Sequence, residues 1–507
     1  MRLPYPTRIN INHVLILAVG LLLAQLLNGT DPVFAFLACL TLVLSALAFN
    51  VLDGLGTVSG AFVIFMAIPT FFVLILIKVM TWEPSDKHFL WPMTTITATT
   101  LGWAGILVAA ALSRRFVTRR NLVRFTARDL ENLKNTSAGL LVIGLFSQIL
   151  LTNYSTGQNG SFWAILNQLN IFIPMATILA TYYEICISGG KRSMNWIVLV
   201  SILYVAGFGF IAASKQGMYA PFFSYFLVCG ALEYRFRPLQ VMGIVAWLAF
   251  AMGFLFPWAQ YARSMTRQST LTGTVGATIG LLRDPETIPA MYRWYAESLR
   301  NNEDVNQVSL CYDHPEGLWD RESLICQDDR LIDLTQHTGS IGPDYLIAGF
   351  EMIVPHFIWP SRTNLSLGNL YGRETGQTGE EDYTTAVAFA PVGDAFREFG
   401  WSGVVVVMPI MYFFTFIFLN AVFGDARESP WGLVLVAYAA AVAPGVLLPV
   451  HPQLWGHYVP IILILVWITR YVAPQVAVVF GFRKVQARII TPDTELVPKS
   501  REVRQSP

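Results

Sequence analysis

The chain has 507 residues, of which 54% are hydrophobic and 13% charged, with a formal net charge of +1. Soluble domains carry about 25% charged residues, so the composition excludes a water-soluble globular protein and implies an integral membrane protein. The near-zero net charge is uninformative about partners because the charges are sharply sorted along the chain, and nothing points to nucleic acid.

A helical crossing needs roughly 20 predominantly apolar residues. On that rule about twelve spans are expected, at about 12–28, 33–50, 58–80, 93–112, 136–152, 162–187, 196–213, 216–232, 238–258, 400–423, 430–449 and 457–478. The first span is not expected to be a cleaved signal peptide, because no small-residue cleavage motif follows it and the next span begins at once. The chain then divides into a first membrane region (1–258, about nine helices), a large polar segment (259–398), three last membrane helices (399–480) and a basic tail (481–507). The loop 113–134 carries Arg114, Arg115, Arg119, Arg120, Arg124, Arg128 and Lys134, with apolar residues at helical spacing that suit the lipid surface.

Lysine and arginine counts set the orientation. Arg2, Arg8, the 113–134 cluster, Lys191, Arg192, Arg235, Arg237 and the basic tail all fall on one face if every span crosses once. The short loops of the other face hold only Lys87 and Lys215. Both termini are therefore expected in the cytoplasm and the polar segment outside it.

Of the five cysteines, Cys39, Cys186 and Cys229 fall in apolar spans and read as packing residues. Cys311 and Cys326 lie in the polar segment, where an oxidising compartment would allow a disulfide; two free thiols are the other reading. No Cys/His spacing suggests a metal site.

The polar segment holds about 20 acidic residues, about ten arginines and no lysine. Arginine grips phosphate through two parallel hydrogen bonds and keeps its charge everywhere. Arg263 and Arg267 follow the ninth span, Arg362 and Arg373 flank a Gly/Asn-rich stretch, and Arg397 precedes the tenth span. For any single arginine, an ordinary surface ion pair is the plainer reading. Helical patches are expected at about 286–300 and 342–358. Trp294, Trp319, Trp359, Tyr312, Tyr345, Tyr371 and Tyr383 offer flat faces of the kind sugars stack on, although interfacial aromatics are also common for packing alone.

Three local matches resemble the O-antigen polymerase family (the Wzy type), including the oligosaccharide repeat-unit polymerases. Ser214-Lys215-Gln216-Gly217-Met218 is similar to the family's Ser-Arg-x-Gly-like outside turn, with Lys215 in place of arginine. The stretch from Val354 to Arg362, with His356, Trp359 and Pro360, resembles I-P-R-x-x-W-P-x-K. The stretch from Pro391 to Gly403, with Asp394, Phe399, Gly400 and Trp401, resembles G-E-x-Y-x-x-F-G-x-x-G. The resemblance implies an all-α polytopic membrane protein of about twelve transmembrane helices with one large periplasmic loop, like the GT-C-type membrane glycosyltransferases, in the bacterial inner membrane. It implies transfer of an undecaprenyl-pyrophosphate-linked glycan onto the next lipid-linked repeat unit. No metal or cofactor is required, and a chain-length regulator and a flippase are the implied partners.

Cleaving the sugar–pyrophosphate bond builds negative charge on the leaving oxygen, which fixed cations stabilise. Lys215, Arg263 and Arg362 are the candidates for that role, with Arg267, Arg373, Arg397 and Trp359 as substrate contacts. The acceptor hydroxyl must lose a proton, for which Asp394, Glu398, His356 and Glu374 are candidates. His314 and His337 are weaker ones, while His451 and His457 read as capping or solvated residues of an outside turn. Two competing functions are an O-antigen ligase and a polytopic transporter of glycan or lipid-linked substrate. Against the transporter, the halves look unlike each other.

Overall fold

The computed structural model describes residues 1–116, 125–153, 169, 171–265, 271–300, 311–312, 323–354, 358–359, 361–363, 365–383, 385–422 and 425–482. Among these the regular elements are all helical, and the extended pairing is a single bridge between Arg2 and Arg235.

The first helices are α1 (Ile11–Leu27), α2 (Pro32–Val51), α3 (Val58–Met80), α4 (Pro92–Ser113) and α5 (Ala127–Asn153). They are followed by α6 (Phe172–Ile187), α7 (Trp196–Ile211), α8 (Lys215–Ala231) and α9 (238–265). The polar segment contributes α10 (Leu271–Arg283), α11 (Thr287–Arg300), α12 (Leu324–Thr338), α13 (Asp344–Glu351), α14 (Leu367–Glu374) and α15 (Pro391–Phe399). The chain closes with α16 (403–422), α17 (Pro430–Val442) and α18 (450–479). Among the described residues six helices are long and apolar enough to cross a membrane, and six shorter apolar helices of 10–17 residues accompany them. The protein is a helical membrane protein.

Local chemistry sets the helix starts. Asp31 accepts from the amides of Val33 and Phe34, Asn195 from those of Ile197 and Val198, and Ser429 from that of Trp431. Each satisfies amides that the first helical turn leaves without partners. Proline opens α2, α4, α9, α15 and α17, where its missing N–H removes nothing the helix needs. Proline also marks the helix irregularities. Described π turns lie at Ile68–Phe72, Ala251–Leu255, Gly403–Val407, Leu454–Tyr458 and Ile468–Val472. Pro69 is inside the first, and Pro257, Pro409, Pro460 and Pro474 each stand two residues past the end of one of the others. A proline cannot donate to the carbonyl four residues back and crowds it; in those four cases that carbonyl falls within the π turn, which absorbs the fault.

Contacts between connections sort them into two ends. At one end the Met1 ammonium donates to the Phe236 carbonyl, Arg2 pairs with Glu233, Tyr5 donates to the Leu55 carbonyl, and Arg8 and Arg114 both approach Asp53. At the other end Asn28 donates to the Glu83 carbonyl, the Ser85 amide to Thr30, and the Leu90 and Trp91 amides to Asp329 of α12. The basic residues Arg2, Arg8 and Arg114 thus share the end opposite α12.

The polar segment packs in two places. Helices α10 and α11 lie against α7 and α9, where Ala213, Trp258, Tyr261, Ala262 and Met291 are buried together. The described part of 323–399 packs on α4, α16 and the start of α18, around buried Leu331, Leu367, Tyr371, Phe389 and Leu447. The helices expected near 286–300 and 342–358 are present as α11 and α13, with 355–357 outside the described residues. Helix α12 was not anticipated: two aspartates and an arginine at its centre interrupt the apolar stripe. Cys311 is joined to Cys326, the disulfide alternative of the two. Closing a 15-residue separation removes unfolded-chain entropy amounting to about 3 kcal/mol in the chain-entropy treatment.

The disulfide holds Tyr312 beside a buried ion pair. Lys78, fully buried at the end of α3, contacts Glu83 at 2.8 Å and lies 5.2 Å from the Tyr312 ring centroid. A charge this far from water requires its partner.

Candidate functional site

Helix α12 organises the candidate site. Its buried face carries adjacent aspartates, and each caps a different helix. Asp329 accepts from the Leu90 amide at 2.6 Å, the Trp91 amide at 3.0 Å and the Thr95 hydroxyl at 2.7 Å, closing the start of α4. Asp328 accepts from the Ala390 amide at 2.9 Å at the start of α15. Gly393 is required there, because a Cβ on it would lie 2.5 Å from Asp328 Oδ1. Burial pushes the Asp328 carboxyl well above the usual range, against the pull of the Ala390 and Gly393 amides. Burial raises Asp329 too, offset by its three donors.

The other face of α12 borders a cleft of about 230 Å³ lined by Arg330, Asp333, Leu334, His337, Glu374 and Thr375. Residues 330, 333, 334 and 337 form one helical stripe, and α14 supplies the facing wall. Asp333 accepts from the Trp91 indole at 2.9 Å and lies 3.4 Å from His337 Nδ1. Glu374 lies 3.4 Å from Arg397, whose guanidinium also donates to Thr338 and to the Gly339 carbonyl, both at 2.8 Å. Both cleft acids are therefore partnered. The Arg330 guanidinium makes no hydrogen bond or ion pair among the described residues.

Behind Arg397 lie two more acids of α15. Asp394 is fully buried, accepting from the Tyr371 hydroxyl at 2.7 Å and the Leu448 amide at 2.6 Å. Glu398 is equally buried, and neither of its oxygens has a hydrogen-bond partner. Burial pushes Asp394 up to about 6. Burial first, and the neighbouring Asp394 charge second, push Glu398 up to about 9, against the pull of the Leu346 backbone amide. Burial and the Asp394 charge likewise raise the Tyr371 hydroxyl, so it stays a donor. His451 is completely buried, which overturns its reading as a solvated turn residue. Its Nδ1 lies 2.7 Å from the Thr415 hydroxyl and its ring 4.6 Å from that of Tyr412, while Nε2 has no partner.

The expected site residues separate into groups. Asp394, Glu398 and Arg397 come together with Glu374 next to the cleft. Arg373 stacks 4.3 Å over the Tyr383 ring. Arg362 donates to the Met352 carbonyl at 2.6 Å, and exposed Trp359 donates to Ser361 at 3.0 Å. Lys215 lies 3.7 Å over the Phe256 ring, in the region of α8 and α9 and apart from α12. The side chains of Arg263, Arg267, His356 and His457 lie outside the described ones. Sequence reasoning missed Arg330, Asp333, Asp328 and Asp329. The signal for the first two was present in the spacing of Arg330, Asp333, Leu334 and His337, visible only if 324–338 is read as a helix. Among the described residues no group of three or more His, Cys, Asp or Glu side chains is arranged to hold a metal ion. No protein-family profile matches the chain, and neither a curated protein nor a solved structure matches it significantly.

Proposed function

We propose that this chain is a membrane glycosyltransferase of the polysaccharide-polymerase kind, acting on polyprenyl-pyrophosphate-linked glycans. The observation that carries the reading is the charge of the cleft. Its two acids, Asp333 and Glu374, are already partnered, and the Arg330 guanidinium, whose charge also acts on Asp329, makes no ion pair among the described residues, so it is the charge an incoming anion would meet in the cleft. The bond from sugar C1 to the pyrophosphate oxygen breaks, the bond from C1 to the acceptor oxygen forms, and the acceptor proton passes to a carboxylate. Charge grows on the leaving oxygen, so a fixed cation acts most strongly in the transition state. Arg330 takes that role and Glu374 receives the proton. Lys215 and Arg362 take no part in this version, since neither lines the cleft.

In the same reading the chain crosses a bacterial inner membrane twelve times, with both termini in the cytoplasm and the cleft in the periplasm. The gathering of basic residues at the end opposite α12 and the disulfide beside α12 support that placement. The test is a gel of surface glycan from a strain lacking the gene, complemented with wild type or Arg330→Ala. Collapse of a ladder to core plus a single repeat, restored by wild type and reduced tenfold or more with Arg330→Ala, is expected. Loss of every surface repeat with long chains retained on the lipid carrier would instead identify a ligase, and an unchanged glycan would overturn the reading.

A further inference from the structure

We propose that Glu398 and Asp394 form a binding site for a single proton, with Glu398 as its principal seat. The site stands independently of the glycan reading. The two side chains are four residues apart on α15, one helical turn, and so share a face. Both are completely buried. Asp394 has a donor on each oxygen, from Tyr371 and the Leu448 amide, and so is furnished as a carboxylate. Neither Glu398 oxygen completes a hydrogen bond, the Leu346 amide being the backbone donor that approaches it, and so Glu398 is the better furnished of the two to stay a neutral acid. A buried carboxylate with neither a completed hydrogen bond nor a cation is costly, and beside a second buried carboxylate the cost is relieved by keeping a proton.

The surroundings offer no other resolution. On α15 itself the cation is Arg397, committed to Thr338, Gly339 and Glu374. Helix α12 brings Asp328, whose Oδ2 has no partner, and Asp329, which caps α4; both are acids. Helix α13 brings Asp344 and Tyr345, and α14 brings Tyr371 and Glu374. Helix α16 brings Tyr412, and α18 brings His451 with its unpartnered Nε2. Helix α4 carries no titratable side chain. The acidic groups outnumber the one committed cation. Asp328 and His451 are additional fully buried groups with an orphaned polar atom near the same junction. The proton site lies one residue from Arg397, which holds Glu374 in the cleft, so the charge of the pair and the shape of the cleft are linked through one side chain.

Infrared difference spectra of the full-length protein in detergent test this without reference to activity. Wild type minus Glu398→Gln at pH 7 is expected to show the carbonyl stretch of one protonated carboxylic acid, and raising the pH should abolish it. Glutamine is isosteric with the neutral acid, so the variant keeps the packing. In Asp394→Asn the Glu398 band should persist at pH 7 but titrate at lower pH than in wild type, because the like charge that helps retain the proton is gone. Identical wild-type and Glu398→Gln spectra would overturn the proposal, as would a band whose midpoint Asp394→Asn leaves in place.

Discussion

Replacing Asp329 with alanine deprives three donors of their shared acceptor. The Leu90 and Trp91 amides, at 2.6 and 3.0 Å, open α4 and have no helical carbonyl to turn to, whereas the Thr95 hydroxyl can rotate. A buried donor left unsatisfied costs about 1–3 kcal/mol, so the two amides together put the loss at about 2–6 kcal/mol. At about 2.1 cal/mol/K of unfolding entropy per residue, a chain of 507 residues unfolding as one unit loses about 1 °C of melting temperature per kcal/mol. The expected shift is therefore about 2–6 °C downward for Asp329→Ala and about half of that for Asp329→Asn, which keeps one acceptor oxygen. Tryptophan fluorescence during heating in detergent measures it, with Trp91 placed at the perturbed cap. A loss under about 1 °C for the alanine variant would refute the reasoning that α12 caps α4 through this carboxylate.

Glu398→Gln should alter stability in a pH-dependent way. The folded Glu398 carboxyl is raised to about 9, so it adds no penalty below the ordinary glutamate range and destabilises progressively as pH rises toward that value. The glutamine variant should melt with wild type near pH 4 and above it at pH 8; parallel curves would contradict the assignment. Lys78→Met leaves Glu83 buried without its cation and should cost about 3–5 kcal/mol, with Lys78→Met combined with Glu83→Gln recovering most of the loss in melting temperature. Gly393→Ala should lower the yield of folded protein on size-exclusion chromatography, because its Cβ would sit 2.5 Å from Asp328 Oδ1.

The apolar helices were legible because their signal is local. Length and apolar content can be read within a single span. The site was legible only in part. Asp394, Arg397 and Glu398 precede a long apolar run and attract attention by position. Asp328 and Asp329 do not, because their role depends on amides far away in the chain, at Ala390 and at Leu90 and Trp91. Buried charge is also the hardest feature to recognise in a sequence, where charge is read as exposure. His451 was misjudged on that ground, and Lys215 stacks on Phe256 where a cation for the leaving oxygen was expected.

The π turns bear on how these helices tolerate length changes. Successive residues of an α-helix are separated by about 100° around the axis, so deleting one residue from a regular span rotates everything beyond it onto a new face. A π turn holds one residue more than the regular turn it replaces. A single deletion within 403–407 can therefore relax into an unbroken α-helix while leaving the facing of α16 relative to α15 nearly unchanged, whereas the same deletion within 408–422 would swing buried Tyr412 or Phe416 toward lipid. The irregular turns make the gaps that this chain can accept positional: they fall where a proline has already loosened the register.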